Sequence, residues 1–422
     1  MCYNFCEGSD PYMKIVNLSI NDFNTFANNH TLRNYYQTSE YAKVMENKGY
    51  TYDYIGYMDN SNNLVAASLI LKKKIGTFAK YVYAPKGVLI DYFDDQLLKL
   101  FFKDLASFYK LKGFSFLKIN PEIIIGDVDA KNNFTVNYNQ NVGIIDSLKN
   151  IGFKRRREIY PLDFLFPRIN PYINLKEYSQ NEKLNEILGL TEDNGLTVEV
   201  LDIKDIDILY DIASKHSYQT INYFKSILNH FGNNAELILV KANYEKCLIS
   251  ARERYNKELE NNNYYNERLQ TDSSDEAVNK KMQSDKDLLK YKNQVVDATA
   301  GLKLHKFKYI GGAVIVKYQN RVSIVLEDYD NDNVYAQYYL YNYLINNNKE
   351  MYEYLELNGL ASDFSENSIY YDFNKVKLDF DPIIYEFIGE FDIVLNELLF
   401  KKIQSKGLLS KEFLPSHKFE QN

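Results

Sequence analysis

The stretch Tyr83-Ala-Pro-Lys-Gly-Val-Leu-Ile-Asp91 sets a Pro-Lys-Gly turn between two apolar runs. Pro85 fixes φ, Gly87 permits a positive φ, and the side chain between them is Lys86. Such a tip either meets an anion or is a wet hairpin end, and taken alone the residues favour the hairpin. A second basic group, Lys154-Arg155-Arg156-Arg157, can touch a phosphate backbone and equally reads as a solvated loop. Lys72-Lys73-Lys74 reads as the end of a strand. Nucleophilic hydrolase chemistry has no support, with no Ser-His-Asp signature, no G-x-S-x-G elbow and only five histidines. "QNVGII" opens like the R/Q-x-x-G-x-G/A phosphate loop of coenzyme-A acyltransferases but ends in Ile145, which disfavours acetyl-CoA. Cys2, Cys6 and Cys247 are too few and too scattered for a disulfide framework or a metal site, so neither metal nor cofactor is expected.

The elements that must position these residues alternate between helix and strand. The 422-residue chain is 45% hydrophobic and 25% charged, which describes a globular protein of two or three domains. A net charge of −7 argues against wholesale nucleic-acid coating while leaving room for a local basic patch. No apolar run spans a bilayer and no cleavable leader is visible, so a cytoplasmic location is expected. Residues 1–12 read as an extension before a fold that starts near Met13. Helices are expected at 19–28, 37–48 and 96–112, with strands in "YDYIGYMD", "LVAASLILKKK" and "FSFLKINPE", the runs "FAKYVYA" and "GVLID" flanking the turn, and a helix in "VGIIDSLKNIGF". The pattern returns with helices near 180–193, 203–215 and 221–231 and strands "LTVEVL" and "AELILVKA". Residues 244–300 are polar on a sparse apolar stripe: Leu248, Tyr255 and Leu269, with Leu259 offset, then Val278, Met282, Leu289 and Val296 on the return leg. This predicts two antiparallel helices around a turn in "QTDSSDEA", an arm on the order of 40 Å long. Strands "KYIGGAVIVKY" and "RVSIVLED", a helix 333–349, strands "MYEYLEL" and "SIYYDF", and a helical tail 392–413 follow.

Four motifs and the arm, taken in order, resemble the Fem family of aminoacyltransferases (FemA, FemB, FemX and the MurM/MurN branch). Members of that family move amino acids from charged tRNA onto the peptide of a peptidoglycan precursor. Gln37-Thr38-Ser39-Glu40-Tyr41-Ala42 is similar to the family's Q-S-x-x-W-A, and Tyr83-Ala84-Pro85-Lys86-Gly87 to its Y-x-P-R-G. Lys118-Ile119-Asn120-Pro121 resembles a strand ending in D-P. Val376-Lys377-Leu378-Asp379-Phe380 with Tyr385-Glu386-Phe387-Ile388-Gly389-Glu390-Phe391-Asp392 resembles F-K-x-x-F…V-E-Y-I-G-E-F-D. The resemblance implies an α/β (α+β) fold of two GCN5-like acyl-CoA N-acyltransferase-type domains with an inserted coiled-coil arm like that of seryl-tRNA synthetase. The expected division is an extension 1–12, a first domain 13–163, a second domain 164–243 with 303–410, the arm 244–302 and a tail 411–422.

The implied partners are aminoacyl-tRNA and a lipid II-like peptidoglycan precursor, with peripheral membrane contact through the lipid substrate. Aminolysis of an activated ester needs no protein nucleophile, only positioning, removal of the amine's proton and a cation where the carbonyl oxygen becomes negative. By the resemblance Lys377 is the catalytic candidate, steadying the tRNA end or the oxyanion. Lys86, Tyr83, Lys43, Asn120 and Gln219 are the substrate-binding candidates, and Arg155, Arg156 and Arg157 the tRNA contacts. The chain departs from the family pattern where FemX-type members hold the acceptor's diphosphate: Met45 and Gln219 stand in place of a lysine and an arginine, with Lys43 nearby as a substitute. Asn120 stands where the family carries an aspartate. These departures keep two other readings open: the same chemistry on a lipid or protein amine, and a tRNA-binding protein that has lost catalysis.

Overall fold

The computed structural model describes residues 13–131, 134–156, 167–193, 195–214, 217, 219–330 and 335–413. Arg157, the extension 1–12 and residues 414–422 of the tail lie outside them. The chain opens with β1 (Lys14–Asn17), α1 (Ile20–Asn29), α2 (Ser39–Glu46), β2 (Thr51–Met58), β3 (Leu64–Ile75), β4 (Ala79–Ala84), α3 (Asp95–Leu111) and β5 (Phe116–Ile119). Next come β6 (Ile124–Asp129), β7 (Phe134–Val136), α4 (Gly143–Ile151), β8 (Lys154–Arg155), β9 (Ile169–Asn174) and α5 (Glu182–Asp193). A second run holds β10 (Leu196–Leu201), α6 (Ile206–Ala213), α7 (Ile221–Phe231), β11 (Ala235–Asn243), α8 (Tyr244–Arg268), α9 (Asp275–Leu304), β12 (Phe307–Tyr318) and β13 (Arg321–Tyr329). The chain closes with α10 (Tyr335–Asn348), β14 (Tyr354–Glu356), α11 (Tyr371–Asp379), β15 (Ile383–Phe387), β16 (Phe391–Val394), α12 (Glu397–Ser405) and α13 (Leu408–Phe413).

Among the described residues the strands form two sheets, in the orders β1-β2-β3-β4-β5-β16-β8 and β10-β11-β12-β13-β14-β9-β15-β6-β7. Each repeats one plan: four antiparallel strands, a crossover helix (α3 or α10), then a fifth strand parallel to the fourth. Every other ladder among the described residues is antiparallel, so each sheet has one place where two strands' carboxyl ends point the same way. That plan is the GCN5-type acyltransferase topology, present twice.

The two sheets are not contiguous in sequence. β6 and β7 complete the second sheet, and β16 inserts beside β5 in the first. Residues 124–129 and 134–136, which sequence order groups with the first domain, pair into the second sheet, and residues 391–394, grouped with the second, pair into the first. Two of the chain's crossings between the sheets, at 120–123 and at 388–390, touch where Ile388 N donates to Ile123 O at 2.8 Å. Gly389 has φ +88°, a conformation that side-chain-bearing residues avoid. One buried cluster joins both halves, with Tyr41, Val44, Met45 and Tyr81 on one side and Ile206, Phe224, Leu237 and Val314 on the other. Among the described residues no helix is long and apolar enough to cross a membrane.

Four sequence expectations are corrected. "SIYYDF" is a turn leading into α11 rather than a strand: Tyr370, Asn374 and Lys377, at helical spacing, are all buried, and that burial overrides the β-propensity of Ile-Tyr-Tyr. The tail begins as β16 before it becomes helical. The positive φ of the Pro-Lys-Gly turn falls on Lys86 (+49°), not Gly87. In the arm, α8 buries Leu248 and half-buries Tyr255 and Leu269 as expected, but the stripe read on α9 is one residue out of register. The inward residues of α9 are Ala277, Ser284 and Ala298, while Val278, Met282, Leu289 and Val296 are exposed. Alanines and a serine fill the close helix–helix seam, and small residues give a weak periodic signal.

Candidate functional site

The turn after β4 is held by side chains from the other motifs. Gln37 Nε2 donates to Pro85 O at 2.7 Å, and its Oε1 accepts from Leu69 N at 2.8 Å. Asn34 Nδ2 donates to Lys86 O at 3.0 Å, and Asn120 Oδ1 accepts from Lys86 N at 2.8 Å and from the Tyr83 hydroxyl at 3.0 Å. Both backbone groups of Lys86 are therefore satisfied by asparagines, which offsets a left-handed conformation costing about 1 kcal/mol for a residue with a Cβ. Gly87 is required by closeness: a Cβ there would lie 2.6 Å from Gln37 Nε2. Lys118, next to Asn120 in β5, bonds Glu390 at 3.1 Å and Asp392 at 2.9 Å. All four motifs thus meet around one turn, at the carboxyl ends of the parallel pair β4 and β5.

Lys86 is buried, with its ammonium 5.1 Å from the centre of the Phe387 ring. Burial pushes its pKa down, an effect opposed by Glu122 and Glu356. The far side of the site is a cavity of about 290 Å³ whose walls include Arg33, Glu122, Tyr172, Arg321, Tyr385 and Phe387, drawn from both halves of the chain. Arg321 grips Glu122 with two hydrogen bonds, 2.7 and 3.1 Å, and donates to Tyr172 at 2.9 Å. Burial raises the Glu122 carboxyl, but Arg321 and Lys86 outweigh it and hold it below the ordinary value. Glu122 and Arg321 were not singled out in the sequence. Glu122 follows Asn120-Pro121 directly, and that adjacency was the available signal; Arg321 joins it only through the fold.

Lys377 occupies the corresponding place in the second sheet. β13 and β14 are paired in parallel from Arg321–Tyr354 to Ser323–Glu356. Beyond that register Lys377 Nζ lies 3.2 Å from Glu327 on β13 and donates to Gly359 O at 3.0 Å, just after β14. The side chain is 1% exposed and its ammonium sits 4.2 Å from the Phe373 ring centre. Burial lowers its pKa and Glu327 opposes the shift. Glu327 also accepts from the Tyr341 and Tyr329 hydroxyls, at 2.8 and 3.0 Å. From Arg321 to Glu327 along one strand is about 20 Å, and neither Glu327 nor Lys377 is among the residues that line the cavity beside Arg321.

The remaining candidates fall elsewhere. Lys43 is on the exposed face of α2, and Met45 is in the core shared by the two halves. Lys48, one turn beyond Met45, donates to Gln219 Oε1 at 2.6 Å and lies 5.1 Å from the Tyr223 ring centre. Burial, with Lys73 nearby, brings its pKa down to about 8. Of the basic cluster, Arg155 and Arg156 turn inward: Arg155 Nε donates to Ile388 O at 2.9 Å and Arg156 to Glu390 at 2.9 Å, both where the chain passes from β15 to β16, while Lys154 is exposed.

The FemAB family model matches residues 18–406. The chain belongs to the FemAB family. It is 23% identical to the aminoacyltransferase FemA of Staphylococcus epidermidis over 432 aligned residues, covering 94% of this chain and all of that relative. The Staphylococcus aureus aminoacyltransferase FemA is 22% identical over 414 residues, 91% of this chain and 96% of the relative. The crystal structure of FemX superposes with a TM-score of 0.66 at 18% identity, covering 93% of this chain and 100% of FemX, and so shares its fold.

Proposed function

We propose that this FemAB protein is an aminoacyltransferase that takes an amino acid from aminoacyl-tRNA and adds it to an amine of a peptidoglycan precursor. Its family, and relatives named aminoacyltransferase FemA along nearly their whole length, support the reaction class. The observation that carries the mechanism is the buried ammonium of Lys377 beyond the paired part of β13 and β14. In the transfer, the acceptor amine attacks the ester carbonyl, a C–N bond forms, and the C–O bond to the terminal ribose breaks. The amine's proton passes through water to the ribose oxygen, which departs as a hydroxyl. Negative charge gathers on the carbonyl oxygen between these events, and a positive group already desolvated interacts with it more strongly than one in water.

Lys377 steadies the ester end of the tRNA. Lys86 and its turn face the acceptor across Phe387, and the cavity walled by Glu122 and Arg321 takes part of that acceptor. Lys48 with Gln219 meets the acceptor's phosphates, in the role for which Lys43 is too far round its helix. A held-ionised Glu122 is a poor base, so it orients rather than deprotonates.

The test supplies purified protein with labelled aminoacyl-tRNAs and a lipid-linked precursor. Label on the precursor's peptide amine, lost in Lys377→Met while the fold is retained, is the expected result. Label passing only to a lipid or protein amine would replace the acceptor class. Binding of tRNA with no transfer to any amine would overturn the enzymatic reading.

A further inference from the structure

Three donors from the body of the first sheet converge on a carboxylate brought by the last helix. Lys73 and Tyr81 are register partners on β3 and β4, and Tyr50 follows α2. The Tyr50 and Tyr81 hydroxyls bond each other at 2.8 Å, and the Lys73 ammonium lies 4.8 Å from the Tyr50 ring centre. All three groups donate to Glu412 Oε1 on α13: Lys73 and Tyr81 at 2.7 Å, Tyr50 at 3.3 Å. Lys48 stands beside them, bonded to the neutral Gln219. Burial and the Lys73 charge push its pKa down, and Glu412 only partly offsets them. Two ammoniums therefore share one carboxylate, and the bed stays positive. Burial also keeps both tyrosines protonated. Without Glu412 the bed is two ammoniums and two hydroxyls, donors suited to a phosphate.

The helix that carries Glu412 has few ties. α13 is six residues long, too short to hold its own shape, and follows Gly407 at φ +62°. Its apolar anchors are the half-buried Leu408 and Leu409 and the buried Phe413, whose ring meets Tyr81 and Phe116 edge-on at 5.1 and 6.2 Å. It also lies across a path. Tyr83 shares a face of β4 with Tyr81, about 7 Å further on, and pairs with Lys118 of β5. The Lys118 ammonium is 4.8 Å from the Phe413 ring centre. Tyr83 bonds Asn120, which holds the turn of Lys86. One face of the first sheet thus runs from Lys48 and Lys73 to Lys86, and Phe413 sits on it between the two. We infer that α13 is a displaceable plug, in which Glu412 fills the seat of a phosphate at Lys48, Lys73, Tyr50 and Tyr81, and that a diphosphate-bearing acceptor lifts the helix and lies along the face it covered. The inference rests on the reading of Lys48 given above. A diphosphate carries more charge than one carboxylate and answers both ammoniums, so the exchange favours it. An acceptor without phosphate leaves the plug seated.

The test uses the full chain and pyrophosphate in magnesium-free buffer. Calorimetry shows pyrophosphate binding, and hydrogen exchange shows residues 408–413 losing protection as it binds. Glu412→Gln removes the internal competitor and tightens pyrophosphate about tenfold, the gain expected of a plug seated about nine-tenths of the time. Phe413→Ala, which loosens the helix and leaves the four donors in place, also tightens it, whereas Lys73→Met weakens it. In the transfer assay Glu412→Gln lowers KM for the lipid-linked precursor and leaves kcat unchanged. Three results each overturn the plug: pyrophosphate does not bind, it binds with residues 408–413 still protected, or it binds Glu412→Gln no more tightly than the wild type. If pyrophosphate frees α13 while no precursor is aminoacylated, the plug stands and the reading of the acceptor falls.

Discussion

Replacing Lys48 with methionine should make the folded protein more stable at pH 7 and less able to hold an anionic acceptor. The ammonium is buried against Gln219 and Tyr223, and its pKa falls from the ordinary 10.5 to about 8. That difference corresponds to about 3 kcal/mol between the two protonation states. Partial exposure and the lost Gln219 hydrogen bond, worth about 1 kcal/mol, reduce the net gain in Lys48→Met to about 1–2 kcal/mol. The sign follows from which state binds the proton. Between pH 8 and 10.5 the unfolded chain keeps a proton that the folded chain has released, so wild-type stability rises with pH across that window. Below about 8 both states are protonated and the folded protein carries the full penalty. The variant lacks this rise. Urea unfolding of both proteins from pH 7 to about 10 measures the difference directly. An anion beside Nζ reverses the penalty, so binding of a diphosphate-bearing acceptor weakens as pH climbs past about 8 in the wild type and is weak and flat in the variant. Parallel stability curves would refute the reasoning, because they would mean that Lys48 keeps its ordinary pKa where it lies.

Lys377→Met abolishes transfer and costs about 3 kcal/mol by leaving Glu327 buried without its cation. Adding Glu327→Gln restores stability in thermal melts but not transfer, and recovery of both would make Lys377 structural only. Gly87→Ala drives a Cβ to 2.6 Å from Gln37 Nε2 and lowers stability by about 2 kcal/mol, read by chemical denaturation. Asn120→Asp keeps the oxygen that accepts from Lys86 N and Tyr83, and the buried Asn120 Nδ2 donates to no described partner. That variant folds at pH 7 by circular dichroism, and its transfer rate rises if the family's carboxylate takes a proton here. Arg156→Met weakens the buried network with Glu390 and Lys118 and lowers the melting temperature, while the salt dependence of tRNA binding stays unchanged.

The sequence by itself determined what local chemistry dictates. Alternating apolar runs, glycine helix ends such as Gly49 and Gly113, and a long polar helical pair are short-range signals, and the elements follow them closely. The turn at Lys86 was visible for the same reason: proline and glycine act on their own backbone and its neighbours. Only the tertiary structure decided which charges meet. Glu122 and Arg321 are about 200 residues apart, and Lys118 reaches Glu390 only because β16 inserts beside β5. The same strand exchange seats Phe387 against Lys86. Periodicity cannot report such pairings, because it records which face of an element is buried and not which element covers it. The arm shows the limit most clearly: α9 carries two apolar stripes one residue apart, and only the packing of α8 decided that the alanines turn inward.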